Sequence, residues 1–441
     1  MKTLENFGLR VPKILLPKNI DLSVWSVIAC DQYTQDKNYW KKVENTVGKN
    51  PSTLNLILPE IYLNDNKDER IKQIRKTMSE YISEGVFAPE KNCFVYLERK
   101  TAFGRTRKGL VAQIDLDTYE WKPFSKANIR ATEATIIDRI PPRKAIRKGA
   151  PLELPHIMLL VNDKNDVLVG GTGKLIKDKK PLYNGKLMSN GGEICGWAAE
   201  TEEEIKYVEK ALNQVAQENT AGDGSTFLFA VGDGNHSLAT AKAVWNEYKA
   251  EQLAAGKTEE SLKEDSVRFA LIEIVNIYDC GLTFEPIHRV IFGINSDKLI
   301  SAIKNELGGE VTQETSAEAL EKAVKNSHAD FGFVYKDDSG VQKFVRLHTE
   351  IKELAVSRLQ PAIDEFLKTA GDKAEIDYIH GSEEVFRLGS QENAVTILLP
   401  PIAKETFFET INSRGPLPRK SFSMGEADEK RFYLECRRLF A

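Results

Sequence analysis

The chain has 441 residues, of which 41% are hydrophobic, and this content allows a large core spread over two or three domains. Its 61 basic and 65 acidic residues give a net charge of −4, which argues against a general nucleic-acid-binding or membrane-binding surface. The five cysteines lie far apart without metal-ligand spacing, and no apolar run reaches transmembrane length. The charged N-terminal stretch is a poor signal peptide, so we expect a cytoplasmic protein.

The apolar patterns mix strands and helices without a repeat, which indicates an α+β fold with mixed sheets. Strands are predicted at 93–99, 109–117, 156–163, 166–171 and 267–279, and helices at 201–219, 236–254 and about 353–369. The loop between the first two strands carries Arg105 and Arg107 and is predicted to be an exposed hairpin tip. The sequence GGTGKL at 170–175 reads as a hairpin turn, because it lacks two of the residues that a P-loop needs.

Soft boundaries near residues 125 and 290 divide the chain into three predicted parts. These are an N-terminal α+β region (1–125), a central domain (126–290) and a C-terminal α/β region (291–441). The unbroken apolar strand at 267–279 is predicted to lie in the centre of a sheet.

A polar junction stands between the strand that begins at Phe227 and the helix predicted at 236–254. Six consecutive residues there, 232–237, are small, polar or titratable, which is more than a turn needs. A helix N-terminus has unpaired N–H groups and a positive dipole end, and so favours an anion. The residues predicted to contact such a ligand are Gly232, Gly234, Asn235, Ser237 and Thr240.

Two side chains of the junction suggest chemistry as well as binding. Asp233 could hold Mg²⁺ or take a proton from a hydroxyl group, and His236 could move a proton near neutral pH. The alternative is a helix whose first turn is capped by its own Asp, Asn and Ser side chains, with no ligand.

Charged residues elsewhere are candidates for the same site. Glu133, Asp138 and Arg139 follow a stretch at Thr132 that could begin a helix, which the proline pair at 141–142 would then stop. In isolation such charges usually form a solvated surface.

Further along the chain, His288 and Arg289 end a strand-like run and could reach an anion, and Lys420 lies on a basic Pro/Gly loop. A buried structural histidine and a packed tail are the alternatives for these segments.

Several of these segments together resemble the DUF1015 family of bacterial and archaeal proteins. Residues 232–241 resemble its pattern A-D-G-H-H-R-Y-E-T-A, and 107–109 resemble its Arg-x-Gly strand. Residues 132–139, 286–291 and 417–421 resemble three further family patterns, and 30–33 resemble an early D-x-Y element. Two positions depart from the family: Asn235 replaces its first His, and Ser237 replaces its Arg.

The turn at 232–237 is also similar to the phosphate-binding turn of the ParB/sulfiredoxin-like superfamily, which implies a fold of that kind for the central domain. No cysteine occupies the turn, which argues against sulfiredoxin-type thiol chemistry. The resemblance implies a nucleotide or another small phosphorylated ligand, with Mg²⁺, and a kinase-like phosphotransferase or a phosphohydrolase. Asp233, His236 and Glu133 are the predicted catalytic residues, and Asp138, Arg139, His288, Arg289 and Lys420 the predicted distant ligand contacts.

Two further hypotheses stay open at this point. One is a nucleotide-binding regulator or scaffold without turnover, and the other is an interaction protein without a ligand. The sequence leaves the substrate and the oligomeric state open.

Overall fold

The computed structural model describes residues 2–19, 21–133 and 140–440 and shows an α+β fold. The α-helices are α1 (Lys2–Asn6), α2 (Leu22–Trp25), α3 (Lys37–Val47), α4 (Lys67–Ser83), α5 (Ile140–Arg147), α6 (Val169–Ile176), α7 (Glu202–Glu218), α8 (Asn235–Ala254), α9 (Ser296–Leu307), α10 (Ala317–Lys325), α11 (Ala355–Leu367), α12 (Ser382–Leu388) and α13 (Lys404–Arg414). Short 3₁₀ turns lie at Thr53–Leu56, Glu60–Tyr62, Leu116–Thr118, Glu260–Leu262, Ser266–Arg268 and Ala427–Glu429.

The β-strands are β1 (Leu9–Arg10), β2 (Lys13–Ile14), β3 (Lys91–Asn92), β4 (Phe94–Lys100), β5 (Thr106–Asp115), β6 (Tyr119–Glu120), β7 (Ile129–Ala131), β8 (Leu152–Glu153), β9 (Met158–Val161), β10 (Tyr183–Lys186), β11 (Glu193–Ala199), β12 (Phe229–Asp233), β13 (Phe269–Asn276), β14 (Phe284–Pro286), β15 (His288–Phe292), β16 (Glu310–Gln313), β17 (Phe331–Lys336), β18 (Gln342–His348), β19 (Glu375–Ile379), β20 (Ala394–Leu398), β21 (Phe422–Met424) and β22 (Arg437–Arg438).

The chain divides into two compact units, Met1–Leu282 with Gly425–Ala441, and Thr283–Met424. The first unit contains a large mixed sheet with the order β10-β11-β4-β5-β13-β9-β12-β7-β6, and β1 pairs with β5. Three pairs in this sheet are parallel, namely β13–β9, β12–β7 and β6–β7. Strands from both sides of residue 125 therefore share one sheet, and the second unit begins at Thr283.

β13 lies in the middle of this sheet, as its apolar run predicts, and all eight of its residues are buried. Alternate residues of the neighbouring strands pack on opposite faces of the sheet. Tyr96 and Leu110 belong to a core shared with α7 and α8, whereas Val95 and Val111 belong to a core shared with α3 and α4. The sheet is thus the middle layer of the first unit, with helices on both sides.

The predicted helices at 201–219 and 236–254 are confirmed as α7 and α8. A capping box fixes the start of α7: the Thr201 hydroxyl accepts from the N–H of Glu204, and the Glu204 carboxylate accepts from the N–H of Thr201. α8 buries Leu238, Val244 and Trp245 against the sheet.

The strand predicted at 166–171 and the hairpin turn predicted at 170–175 are both wrong, because this segment contains helix α6. The Asp163 carboxylate accepts a hydrogen bond at 2.8 Å from the backbone N–H of Leu168, directly before the helix. The glycines allow the helix to lie close to the sheet, since a Cβ at Gly173 would stand 2.2 Å from the ring of Tyr96.

The proline pair that was predicted to stop a helix instead begins one. α5 starts one residue before Pro141, so both prolines occupy its first turn, where a missing N–H group removes no helical hydrogen bond. The remainder of the predicted helix, at 134–139, lies outside the described residues.

The hairpin predicted between 93–99 and 109–117 is confirmed as β4–β5, but its arginines are not simply exposed. Arg107 is only 3% exposed and donates to the carbonyl oxygen of Glu429 at 2.7 Å. Arg105 donates to the Glu429 carboxylate at 2.6 Å. The C-terminal segment folds back over the hairpin and covers these side chains, a long-range contact that the local sequence does not reveal.

The second unit has a six-stranded sheet with the order β16-β18-β17-β20-β15-β19, and a separate pair, β14–β21. The strand pairs of the sheet are antiparallel. The long helix predicted at about 353–369 is confirmed as α11.

Within the described ranges, no helix combines the length and the apolar character that crossing a bilayer requires. The five cysteines are all present as free thiols.

Candidate functional site

The polar junction lies at one edge of the first sheet, where β7 and β12 end and β9 begins. β7 and β12 are parallel, and Glu133 and Asp233 each stand two positions after the last residue pair of these strands, at the same edge of the sheet. β9 runs in the opposite direction and its first residue pairs with Asp233, which places His156 at the same edge. Three separate segments therefore place Glu133, Asp233 and His156 at one edge of the sheet.

Gly234 forms the link between β12 and α8. Its backbone lies in the left-handed region, with φ 81° and ψ 28°, and a Cβ there would stand 3.0 Å from Ile157. No side chain caps the start of α8; the Asp233 carboxylate instead accepts from the N–H of Gly234 at 2.9 Å. The Asp233 and Asn235 side chains nevertheless accept from the backbone N–H groups of Gly234 and Thr132, so the alternative of a junction whose polar side chains serve the backbone, with no ligand, stays open. The 20 residues of α8 present an N-terminus whose dipole is not offset by a side-chain cap.

The side chain of Asn235 fastens the junction to the neighbouring strand. Its Oδ1 accepts from the N–H of Thr132 at 3.2 Å, and its Nδ2 donates to the Thr132 hydroxyl at 3.1 Å. Thr240 is buried and donates its hydroxyl to the carbonyl oxygen of His236 at 2.7 Å. Gly232 is part of β12. These contacts hold the first turn of α8 in a fixed position relative to β7.

A chain of hydrogen bonds leads from Ser237 into the interior of the first unit. The Ser237 hydroxyl lies 2.8 Å from Nε2 of His156, and Nδ1 of His156 lies 2.8 Å from the Tyr433 hydroxyl. The backbone N–H of Cys30 donates to the Tyr433 oxygen at 3.3 Å. The rings of His156 and Tyr433 meet edge to face with their centroids 5.5 Å apart. Both nitrogens of His156 are thus positioned by defined partners.

Ser237, His156 and Tyr433 form part of the wall of a cavity. Its volume is about 140 Å³, measured as the space open to the centre of a water molecule. A single water needs roughly 10–15 Å³ by that measure, so the cavity has room for a small organic group. Its wall is mainly apolar and includes Leu56, Met78 and Leu271. The wall also contains two ion pairs, Glu60 with Arg143 and Glu153 with Arg147.

The C-terminal segment supplies a cation to the junction: the Lys430 ammonium lies 3.4 Å from Oδ2 of Asp233. The adjacent Arg431 is buried against Glu273 and Glu435. Burial alone would raise the pKa of Glu273, but Arg107 and Arg431 outweigh it and hold that pKa below its usual value. The segment is therefore anchored by buried charge pairs directly beside the site.

His288, Arg289 and Lys420 belong to the second unit, where Nδ1 of His288 accepts from the N–H of Leu399 at 3.0 Å. Arg289 is fully buried and donates to the Gln360 side chain at 2.9 Å and to the Lys420 carbonyl at 2.9 Å. His288 and Arg289 are thus buried and held by contacts within this unit, whereas the Lys420 side chain is exposed.

Asp138 and Arg139 fall outside the described residues. Within the described ranges, no group of three or more His, Cys, Asp and Glu side chains lies close enough to hold a metal ion by itself. Mg²⁺, however, commonly takes only one or two carboxylates and completes its shell with phosphate oxygens and water, so Glu133 and Asp233 fit that smaller requirement.

Sequence reasoning missed His156, Tyr433 and Lys430 as members of this site. His156 carried a weak signal, as a polar residue at the start of the strand predicted at 156–163. Tyr433 and Lys430 carried none, because they reach the junction through a fold-back of nearly 200 residues.

A family model described as "Protein of unknown function (DUF1015)" matches residues 13–366. The chain belongs to this family. The match contains the junction, α8 and His156, and it ends before the C-terminal segment that supplies Lys430 and Tyr433. A search of the curated proteins finds no match.

Among solved structures, a conserved hypothetical protein from Pyrococcus furiosus is 12% identical with a TM-score of 0.34, covering 71% of this chain and 90% of that one. A free serine kinase in complex with AMP is 13% identical with a TM-score of 0.36, covering 72% and 88%. SbnI from Staphylococcus aureus, truncated at its C-terminus, is 10% identical with a TM-score of 0.34, covering 71% and 82%. Likenesses at this level carry no argument about function.

Proposed function

We propose that the chain binds a small phosphorylated molecule, such as a nucleotide, at the start of α8 and acts on its phosphate as a phosphotransferase or a phosphohydrolase. The observation that carries this proposal is the uncapped N-terminus of α8 beside the Lys430 ammonium. Oriented N–H groups and the positive end of a helix dipole hold a phosphate without a guanidinium partner. This explains how the site works although Ser237 replaces the arginine of the family pattern.

The backbone at the start of α8 and the carboxylates beside it have different roles in this proposal. The N–H groups of Asn235, His236 and Ser237 contact the phosphate, and Lys430 balances its charge. Asp233, with Glu133 beside it, would hold Mg²⁺ against the phosphate oxygens, where the ion would neutralise developing charge. His236 lies next to the phosphate position and serves in proton transfer.

The turn's similarity to the ParB/sulfiredoxin-like superfamily supports a phosphate ligand of the same kind, and a cytoplasmic location suits such a ligand. Asp138, Arg139, His288, Arg289 and Lys420 stay predictions as additional ligand contacts.

The test is ligand-induced thermal stabilisation of the full chain. Purified protein is heated with nucleoside mono-, di- and triphosphates and with inorganic phosphate, each with and without Mg²⁺. A ligand that binds only the native state at a hundred times its Kd stabilises that state by about 2.7 kcal/mol, which a melting curve resolves. Lys430→Gln should weaken the shift with every phosphate ligand, and Asp233→Ala should remove its Mg²⁺-dependent part.

The matched control is Lys122→Gln, which removes an exposed lysine of the same unit and should leave the shift unchanged. If no phosphate compound raises the melting temperature of the wild-type chain, the proposal is wrong. A shift without any release or transfer of phosphate would instead favour a nucleotide-binding regulator without turnover.

A further inference from the structure

We propose that Ser237 is a nucleophile that takes up the phosphoryl group as a covalent intermediate, and that the substrate is a phosphate monoester whose alcohol part is small and apolar. This inference rests on the proposed function, because it places the phosphate at the same end of α8. The geometry that points to it is the hydrogen-bonded chain from Ser237 through His156 to Tyr433, in the wall of an apolar cavity.

A serine hydroxyl is a weak nucleophile unless a base within hydrogen-bond reach takes its proton, and that base works best when a third group orients it. Nε2 of His156 meets the first requirement at 2.8 Å from the Ser237 oxygen. The Tyr433 hydroxyl meets the second at 2.8 Å from Nδ1. His156 is only 9% exposed, so water does not compete freely for its ring nitrogens.

The proposed reaction uses the neutral tautomer of His156 that carries its hydrogen on Nδ1. In that tautomer Nδ1–H donates to the Tyr433 oxygen, which also accepts from the backbone N–H of Cys30 at 3.3 Å. Nε2 then has a lone pair and accepts from the Ser237 hydroxyl, which is the arrangement that a general base requires.

The position of Ser237 in α8 matches the charge that the reaction develops. It is the third residue of the helix, so its hydroxyl lies at the positive end of the dipole, where a transferring phosphoryl group is stabilised. Capping by Ser237 itself is excluded, since no side chain caps this helix. The Ser237 hydroxyl therefore forms its hydrogen bond with His156 and not with the backbone.

The cavity indicates the rest of the substrate. Half of the residues in its wall are leucine, isoleucine or methionine, and these side chains favour an alkyl or aryl group. Thr240 lies one turn after Ser237 and lines the same cavity, so the space begins directly at the nucleophile.

The reaction is a double displacement in which atoms and charges balance. The Ser237 oxygen forms a bond to phosphorus, the bond from phosphorus to the alcohol oxygen breaks, and the serine proton passes through His156 to the departing alcohol. Water then attacks phosphorus, the bond to the Ser237 oxygen breaks, and one water proton returns through His156 to the serine. The products are the free alcohol and inorganic phosphate.

The experiment uses the full chain with 4-nitrophenyl phosphate, whose aryl group fits the cavity. Nitrophenolate release is followed by absorbance, and acid-quenched samples are digested and analysed by mass spectrometry for a phosphoryl group on Ser237. We expect release and a phosphorylated Ser237 peptide in the wild type, and neither in Ser237→Ala. His156→Asn should slow release by roughly 100-fold or more, as loss of a general base does.

Tyr433 is a positioning residue in this scheme, and Tyr433→Phe tests it. The ring and its packing stay, so KM should be unchanged while kcat falls, a separation that a general loss of structure would not produce. The matched control is Ser79→Ala, since Ser79 is an exposed helical serine that bonds only to the backbone carbonyl of Arg75. Its rate should equal that of the wild type.

Two outcomes separate this inference from the proposed function. If inorganic phosphate stabilises the chain but no phosphorylated Ser237 appears and Ser237→Ala releases nitrophenolate at the wild-type rate, the covalent route is refuted and the binding site remains. If phosphate gives no stabilisation and no release occurs, both are refuted.

Discussion

His288 makes the stability of the second unit dependent on pH, and the size of the effect can be worked out from its surroundings. The residue is 5% exposed in β15, and its Nδ1 accepts from the N–H of Leu399. Burial, and after it the neighbouring Arg289 charge, lowers the pKa of His288 from 6.5 to about 4. In the unfolded chain the imidazole therefore binds a proton at a higher pH than in the folded chain.

The sign and the size follow from this difference in proton binding. His288 contributes stability that is fully present above pH 6.5 and is lost as the pH falls toward 4, because only the unfolded state gains the proton in that window. With one pKa unit equal to 1.36 kcal/mol, the loss is about 2 kcal/mol at pH 5 and about 3 kcal/mol below pH 4. Two kcal/mol is a roughly 30-fold change in the unfolding equilibrium.

Amide hydrogen exchange of β15 and β20 measures this change directly, and it is preferable to tryptophan fluorescence because all five tryptophans lie in the first unit. Protection factors at pH 5 and pH 7.5 are compared between the wild type and His288→Asn. The asparagine retains an acceptor for the Leu399 N–H but does not titrate. Between pH 7.5 and pH 5, the protection factors of β15 and β20 should therefore fall roughly 30-fold less in the variant than in the wild type.

The control His328→Asn removes an exposed histidine of the same unit and should reproduce the wild-type change. The reasoning about His288 is refuted if its asparagine variant loses protection between the two pH values to the same extent as the wild type.

Two further substitutions test packing in the first unit, with urea unfolding followed by tryptophan fluorescence. Glu273→Gln removes the carboxylate that faces the buried Arg107 and one of the two that face the buried Arg431, and should lower the free energy of unfolding by about 3–5 kcal/mol. A loss below about 1 kcal/mol would contradict the role given to this cluster. Gly173→Ala places a methyl group 2.2 Å from a ring atom of Tyr96 and should lower the free energy of unfolding by about 1–3 kcal/mol. No loss would mean that α6 can move away from the sheet freely.

The elements that the sequence predicts correctly are those whose signal is local and repeated. α7 and α8 show apolar residues at helical spacing, and β13 is an unbroken apolar run, so the burial of each needs no knowledge of its partners. α6 is not predicted correctly, because a run of glycines is typical of a turn. They are helical because Tyr96 and the sheet approach so closely that a side chain would not fit.

The candidate site shows the same difference between residues with a local signal and residues with only long-range contacts. The junction at 232–237 is visible because its residues are consecutive, and Glu133 joins it because parallel strands end at one edge. His156 and Tyr433 are not visible, since their importance depends on a hydrogen-bonded chain whose members are 81 and 277 residues apart along the chain. No local pattern encodes contacts of that separation.

The C-terminal segment explains a part of the family pattern that has no evident place in the site. The Arg-x-Gly strand resembled by residues 107–109 does not touch the junction. Instead, Arg107 donates to the Glu429 carbonyl and lies 3.5 Å from Glu273, and a Cβ at Gly109 would stand 2.3 Å from the same Glu273 carboxylate. Arg107 therefore pairs with the Glu273 carboxylate, and Gly109 leaves the space that this carboxylate occupies. Glu273 in turn binds Arg431. Because Arg431 lies between Lys430 and the segment that ends in Tyr433, this buried cluster positions the ammonium and the hydroxyl group that the proposed reaction uses.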